Sequence, residues 1–323
     1  MKMGILGAGN IAGTMAETIR EMPQMTSWAV AARNLEKAEG FASKYGFEHA
    51  YGSYEELASD PELDLIYIAT PHSFHYEHAK LCIEHGKNVL VEKAFTQNAA
   101  QARELFALAE KKGVLVAEAI WTRYMPMRTK LDEIISSGVI GTPYSLYATL
   151  SYPIMHKARI TEPELAGGAL LDIGVYAVNF ASMVFGDDIR EVKASAVLTE
   201  KGMDAADSIT FFYEDGKMAV LHSDARTACN REGSVYGDKG YVMVQNINNC
   251  ECIRVYNKEH ELVAEYETPQ QITGYEYEVE ACREALEKGE KECPQMPHSE
   301  TLYIMELMDD IRKQMGVIYP NEK

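Results

Sequence analysis

The chain has 323 residues, enough for two domains and a sizeable core, and an ordinary composition for a globular protein, with 46% hydrophobic and 25% charged residues. A net charge of −18 argues against broad nucleic-acid binding, which needs a basic face to neutralise phosphates, but leaves room for a local basic pocket around a phosphorylated ligand. No run is expected to approach the roughly 20 apolar residues that span a bilayer, and the opening residues enter a strand without a basic-then-apolar leader. The six cysteines, Cys82, Cys229, Cys250, Cys252, Cys282 and Cys293, form no CxxC pair. Reduced thiols and a cytoplasmic location are the expectation.

Over the first 120 or so residues the hydrophobic period alternates between strand and helix. The spacing predicts a strand over 3–6 and a helix over 11–21 that ends before Pro23. A strand over 27–32 follows, then a helix over 35–44 stopped by Gly46. Ser53-Tyr54-Glu55-Glu56 has capping-box spacing and opens a short helix. A buried strand over 65–69 closes on Thr70-Pro71, and a helix over 74–84 stops at Gly86. A strand over 88–91, a helix over 98–111 closed by Gly113 and a strand over 114–117 complete the series. Strands apolar on both faces, with helices between them, indicate a doubly wound parallel sheet covered on both sides.

After Gly138 the strands lengthen and become rich in Tyr, Thr and Val: 144–152, 192–199, 208–213, 218–223, 240–244, 253–256 and 262–266. "EDGK" at 214–217 marks a hairpin with a tight primed turn. One helix, over 169–185, interrupts the strands, and helices over 276–287 and 300–315 close the chain. The expected fold is α/β, with a dinucleotide-binding domain over 1–120. A second α+β domain over 121–323 carries a large, mainly antiparallel open sheet.

Gly7-Ala8-Gly9-Asn10-Ile11-Ala12 matches GxGxxA at the junction of the first strand and helix. There the pattern has a mechanism. Gly7 permits a tight turn, Gly9 lets a pyrophosphate reach the backbone, and Ala12 lets helix pack on strand. The helix N-terminus adds free N–H groups and a partial positive charge. The second strand ends Val30-Ala31-Ala32-Arg33-Asn34. No acid stands at its tip for the ribose hydroxyls, and Arg33 lies where a 2′-phosphate would sit, which favours NADP over NAD. Glu36 could still reach a ribose, so NAD use stays open.

Three later stretches carry further candidates. In "ATPHSFHYEH", 69–78, His72, His75 and His78 invite a metal reading. No cysteine or carboxylate set completes such a site, so no metal is expected and a cofactor-lining role fits better. In "NVLVEKAFT", 88–96, Glu92 and Lys93 follow a buried strand, so Lys93 reaches the same carboxyl edge as the glycine turn. A strand-end lysine is ordinarily solvated; beside a nicotinamide it can hold a substrate hydroxyl or lower a neighbour's pKa. In "GGALLDIGVYAVNF", 167–180, Asp172 and Tyr176 share one helix face. Taken locally, that pattern reads first as a capped core helix whose buried tyrosine has found a hydroxyl partner.

"GILGAGNIAG", "ATPHSFH", "VEKAFT", "EAIWTRYMP" and "GGALLDIGVYAV", in this order and spacing, resemble the glucose–fructose oxidoreductase/inositol dehydrogenase (Gfo/Idh/MocA) family. The resemblance runs nearly the whole chain, to the closing "MGVIYP", and is strongest to the dihydrodiol dehydrogenase branch, whose members also act as NADP-dependent D-xylose dehydrogenases. It implies an N-terminal Rossmann domain and a C-terminal domain whose open sheet forms a homodimer or a higher homo-oligomer. It further implies a hydride exchange between a nicotinamide and the CH–OH carbon of a sugar, polyol or trans-dihydrodiol. Lys93 matches the family's active-site lysine, Tyr176 the acid/base tyrosine of the branch, and Asp172 a residue that orients the substrate or these groups. The implied cofactor contacts are Gly7, Gly9, Asn10, Ile11, Arg33, Thr70, Pro71, His75, Glu92, Lys93, Trp121 and Arg123. Substrate choice would fall to side chains such as Tyr152, His156 and Arg159. Ala94 replaces the usual proline after the lysine, and the lower cost of a trans bond before alanine predicts a trans peptide there. A non-catalytic NADP(H) sensor on the same fold is the alternative. A methyltransferase using the glycine turn for S-adenosylmethionine finds no support in the second domain.

Overall fold

The computed structural model describes residues 1–322. The chain forms two compact units, one of Met1–Trp121 with Gln271–Met305, the other of Thr122–Gln270 with the chain from Glu306 onward. The segment Gln271–Met305 therefore belongs with the first unit, not with the 121–323 domain expected from the sequence.

In the first unit, β1 (Lys2–Leu6), α1 (Asn10–Arg20), β2 (Thr26–Ala31), α2 (Leu35–Tyr45), β3 (His49–Tyr51) and α3 (Tyr54–Ser59) come first. Then follow β4 (Leu65–Ile68), α4 (His72–Glu84), β5 (Asn88–Glu92), α5 (Ala99–Lys112) and β6 (Val116–Ala119). The six strands pair in parallel in the order β3-β2-β1-β4-β5-β6, a Rossmann sheet with its switch point between β1 and β4. Ile5, Leu6, Val30, Leu65, Ile66, Ile68, Val89, Leu90 and Val91 are fully buried, as strands covered on both faces require. The helix starts follow local chemistry. Asn34 caps α2 by accepting from the Lys37 N–H, and Ser53 and Glu56 form both halves of the capping box on α3.

The returning segment covers the β6 edge. The Val116 N–H donates to Lys291 O at 3.1 Å, and His298 Nε2 lies 2.8 Å from Val116 O. Thr18 and Thr273 hydroxyls meet at 2.7 Å, and Gln24 donates to Glu280 at 2.8 Å. These long-range contacts, invisible to local periodicity, attach the segment to the first unit.

In the second unit, α6 (Pro126–Ser136), β7 (Pro143–Ser151), α7 (Ala158–Thr161) and α8 (Val175–Phe185) precede a run of strands. These are β8 (Ile189–Leu198), β9 (Asp204–Tyr213), β10 (Met218–Asp224), β11 (Gly233–Gly237), β12 (Gly240–Gln245), β13 (Cys252–Asn257) and β14 (Leu262–Glu267). The sheet order is β14-β13-β12-β11-β7-β10-β9-β8, antiparallel throughout except for the β7–β10 pair. Two helices close the chain, α9 (Glu276–Lys288) and α10 (His298–Met315).

Three expectations are corrected here. The 214–217 hairpin has positive φ at Gly216 but not at Asp215, so its loop is a three-residue turn with a glycine bulge, not a primed pair. The segment Pro163–Phe185 is long and apolar enough to cross a membrane by composition, contrary to the sequence reading, but 89% of that window is buried in the fold. It is a core element, largely apolar because protein surrounds it. Finally, the 169–185 helix is not uniform: Leu170–Gly174 winds as a π-helix before α8 begins.

Candidate active site

The glycine turn joins β1 to α1. Gly7 has φ +111°, and a Cβ there would stand 2.9 Å from Ala69 O, so only glycine fits. Its N–H donates to Ala31 O at 2.9 Å, tying the tips of β1 and β2. Gly9 is the N-cap of α1, with no side-chain cap and no acid in the first turn. A Cβ on Gly9 would meet nothing within 4 Å. The approach to the start of α1 is therefore open at Gly9 and not filled by a capping side chain or an acid, as a pyrophosphate requires. Ala12 is fully buried against the sheet, Ile11 is half-buried and Asn10 is exposed. A cavity of about 420 Å³ flanks the turn, lined by Gly9, Asn10, Gly13 and Thr14 and by Lys37 and Lys44 of α2. These residues fit a dinucleotide.

Arg33 is exposed at the end of β2, where no acid stands; Glu36 lies in the first turn of α2, also exposed. Tyr54 and His78 rings pack edge-on at 4.6 Å, and Phe74 and His78 stack at 5.7 Å. Arg33 acts electrostatically on this aromatic group. Burial, then His75 and Arg33, pushes the His78 imidazole down to about 4, and Arg33 partly offsets the upward push of burial on Tyr54. Lys37 and the packing of Tyr54 and Phe74 on His78 were not singled out from the sequence, because only the fold brings α2, α3 and α4 to the tip of β2.

The tips of β4 and β5 are fastened together by His75. Its Nε2 lies 2.7 Å from Thr70 O and its Nδ1 2.9 Å from Ala94 O. The ring is fully buried. Burial pushes this imidazole down, and the two carbonyls oppose the shift. The Lys93–Ala94 peptide is cis, not trans as alanine alone predicts. Ala94 and Phe95 are fully buried, so packing overrides the local preference. Lys93 itself is half-buried.

Glu92 is buried behind the lysine. The Tyr67 hydroxyl donates to Glu92 Oε1, and the Lys93 N–H donates to Oε2 at 3.2 Å. Glu278 of α9, also fully buried, has no hydrogen-bond partner on either carboxyl oxygen. Burial first, then Glu92, Cys293 and Glu118, pushes its carboxyl well above the ordinary range. The only signal for it in the sequence was an acid on a helix stripe with Cys282 and Ala285. Trp121 is buried and stacks on Tyr275, ring centroids 4.1 Å apart.

In the second unit Arg123 is buried and bound to α8. Its Nε donates to Asn179 Oδ1 at 2.8 Å and its Nη2 to Ser182 Oγ at 3.2 Å. Asp172 lies in the π-turn, buried, and Tyr176 follows in the first turn of α8, also buried. Arg159 grips Asp172 with two parallel bonds, Nε to Oδ1 and Nη2 to Oδ2, each 3.0 Å. Tyr152 is held by Asn248 at 3.1 Å and Arg231 at 3.4 Å, and His156 is exposed. The structure thus gathers Thr70, His75, Glu92 and Lys93 in one unit, and Asp172, Tyr176, Arg159 and Arg123 in the other.

Residues 1–120 match the model of an oxidoreductase family with an NAD-binding Rossmann fold, GFO_IDH_MocA, and 129–243 match the GFO/IDH/MocA C-terminal domain. The chain is 38% identical to the trans-1,2-dihydrobenzene-1,2-diol dehydrogenase of Xenopus laevis, covering 99% of each. It is 35% identical to the human enzyme of that name, over 100% of this chain and 99% of the other. Among solved structures, KijD10, a 3-ketoreductase from Actinomadura kijaniata in complex with NADP and TDP-benzene, superposes with a TM-score of 0.88 at 23% identity, covering 98% of each chain. An aldose–aldose oxidoreductase from Caulobacter crescentus, complexed with glycerol, gives 0.87 at 20%, covering 97% of each. The chain belongs to the GFO/IDH/MocA family and is a nicotinamide-dinucleotide-dependent oxidoreductase.

Proposed function

We propose that this enzyme moves a hydride between NADP(H) and the CH–OH carbon of a trans-dihydrodiol, sugar or polyol. The observation that carries this is Lys93 at the tip of β5, on the same carboxyl edge as the open glycine turn. The relatives named for trans-dihydrobenzenediol point to the substrate class. Bound NADP⁺ supplies the hydride acceptor at its nicotinamide carbon. In oxidation Tyr176 takes the substrate's hydroxyl proton, and in reduction it returns one. The Lys93 ammonium favours the phenolate, so both must act on one hydroxyl. Asp172, fixed by Arg159, orients the substrate side. Gly7, Gly9, Asn10 and Ile11 cradle the pyrophosphate, Arg33 takes the 2′-phosphate, and Thr70, Pro71, Trp121 and Arg123 border the nicotinamide. Glu92 and His75 act from behind, holding the lysine turn.

The enzyme is proposed to work in the cytoplasm as a homodimer, or a higher homo-oligomer, through the sheet of the second unit. Tyr144, Tyr147, Tyr236 and Tyr266 are exposed on its strands, and Tyr147, Tyr236, Tyr241 and Tyr256 rings follow one another across β7, β11, β12 and β13. The test is a panel of trans-dihydrodiols, aldoses and polyols with NADP and with NAD, read as absorbance of the reduced nicotinamide. Reduction of NADP by at least one class supports the assignment; no turnover across the panel, or in reverse with the matching carbonyls, refutes it.

A further inference from the structure

The helix that bears Asp172 and Tyr176 starts without a local cap. The residues before it are Gly167, Gly168 and Ala169, and none offers a side-chain oxygen. Four helix-start N–H groups need acceptors, and a buried start without them is costly. Asp204, 1% exposed on β9, supplies one of them from a distance of 34 residues. Its Oδ2 accepts the Leu170 N–H at 2.6 Å, while Oδ1 is buried without a hydrogen-bond partner. The approach needs glycine. Gly168 has φ +121°, and any Cβ there would collide with Asp204 Oδ1. A Cβ on Gly167 would fall 2.7 Å from Ile160 O.

The other end of the π-turn is seated on β9 and its neighbour β10. A Cβ on Gly174 would stand 2.9 Å from Ser223 Oγ and 3.2 Å from Asp207 Oδ2. Asp207 is itself held by the Ser223 N–H at 3.1 Å and by the Ser223 hydroxyl. Tyr319 fixes the entry by donating its hydroxyl to Gly167 O at 3.1 Å. The turn between these anchors is the one stretch of π-helix among the described residues; Asp172 lies within it, and Tyr176 follows in the first turn of α8.

We propose that Asp204 is a positioning residue for the reaction: its carboxyl, reached through the Gly167-Gly168 gap, holds the helix start so that Tyr176 and Asp172 keep their working orientation. This rests on the role given above to Tyr176. Mispositioning of a proton donor by an ångström is worth up to about 100-fold in rate, and the cofactor cradle lies on other elements. Asp204→Ala is therefore expected to lower kcat per NADPH-binding site at least about ten-fold, with NADPH affinity within about two-fold of wild type. Asp204→Asn keeps an acceptor oxygen for Leu170 and should restore most of the loss. A purely structural role would reduce the folded fraction and leave kcat per binding site unchanged, and that result overturns the proposal. If Asp204→Ala does not fold, Gly168→Ala, which crowds the carboxyl off its seat, is read the same way. Tyr176→Phe is measured in parallel. Wild-type turnover in Tyr176→Phe overturns both this proposal and the tyrosine assignment. A slow Tyr176→Phe beside a fast Asp204→Ala or Gly168→Ala overturns this proposal alone.

Discussion

The two glycines of the turn are placed under different constraints, and exchanging each for alanine should separate folding from cofactor binding. Gly7 has a backbone reserved for glycine, and its Cβ would press on Ala69 O at 2.9 Å, a backbone atom that cannot swing aside. The conformational strain is worth about 1–3 kcal/mol, and the contact adds to it. For a domain of 150–250 residues each kcal/mol lowers Tm by about 2–4 °C, so Gly7→Ala should melt roughly 5–10 °C early. Gly9 differs. Its φ of −96° and ψ of −169° suit any residue, and its Cβ would point into open space. Gly9→Ala should keep its stability within about 0.5 kcal/mol of wild type, about 1–2 °C in Tm. Its methyl group would nevertheless stand where the pyrophosphate meets the first-turn N–H groups. A loss of about 1.4–2.8 kcal/mol there weakens NADPH binding about 10- to 100-fold. Thermal unfolding without cofactor, and fluorescence titration with NADPH, read the two effects. An unshifted Tm for Gly7→Ala, or wild-type NADPH affinity for Gly9→Ala, would refute the assignment of those positions.

Three further outcomes are expected. Arg159→Met removes both bonds to Asp172; because the Arg159 side chain is 40% exposed, the cost should be nearer 1–2 kcal/mol than the 3–5 of a fully buried pair. Asp172→Asn in the same chain should recover part of it in a double-mutant thermal-melt cycle, and strict additivity would dismiss the coupling. Arg33→Ala should weaken NADP at least about ten-fold while leaving NAD within about two-fold, measured by paired titrations, since only the former carries the 2′-phosphate. Glu278 has its carboxyl raised by burial, so it contributes stability at low pH that is lost as pH rises from the ordinary glutamate range toward its folded value. Glu278→Gln should flatten that decline in pH-dependent melting curves; an unchanged slope would show the carboxyl to be ionised or solvated.

How much of this could be read in the sequence follows the range of the interactions involved. The turn at Gly7 and Gly9, the Ser53–Glu56 capping box and the alternation through β6 depend on neighbours within a few residues, and they are found where spacing put them. Short elements escaped: β3 has three residues, and β11 lies in a stretch with no alternating apolar pattern. The π-turn over Leu170–Gly174 escaped because a period of 3.6 cannot be told from a slightly wider one over five residues. The His75 bonds to Thr70 O and Ala94 O, the Lys93–Ala94 isomer and the Arg159 grip on Asp172 are tertiary facts. Charge pattern alone also hid Glu278 and Asp204, since an acid on an apolar stripe or in a strand normally signals an exposed edge.

The most direct test follows one turnover of NADPH-bound enzyme with aldoses and diketones as carbonyl substrates by stopped-flow absorbance, for wild type and Tyr176→Phe. Wild type should oxidise its bound NADPH in a single burst, and the variant should bind NADPH equally well yet react at least about 100-fold more slowly. Equal burst rates in the two proteins, with NADPH bound in both, would contradict proton transfer by Tyr176.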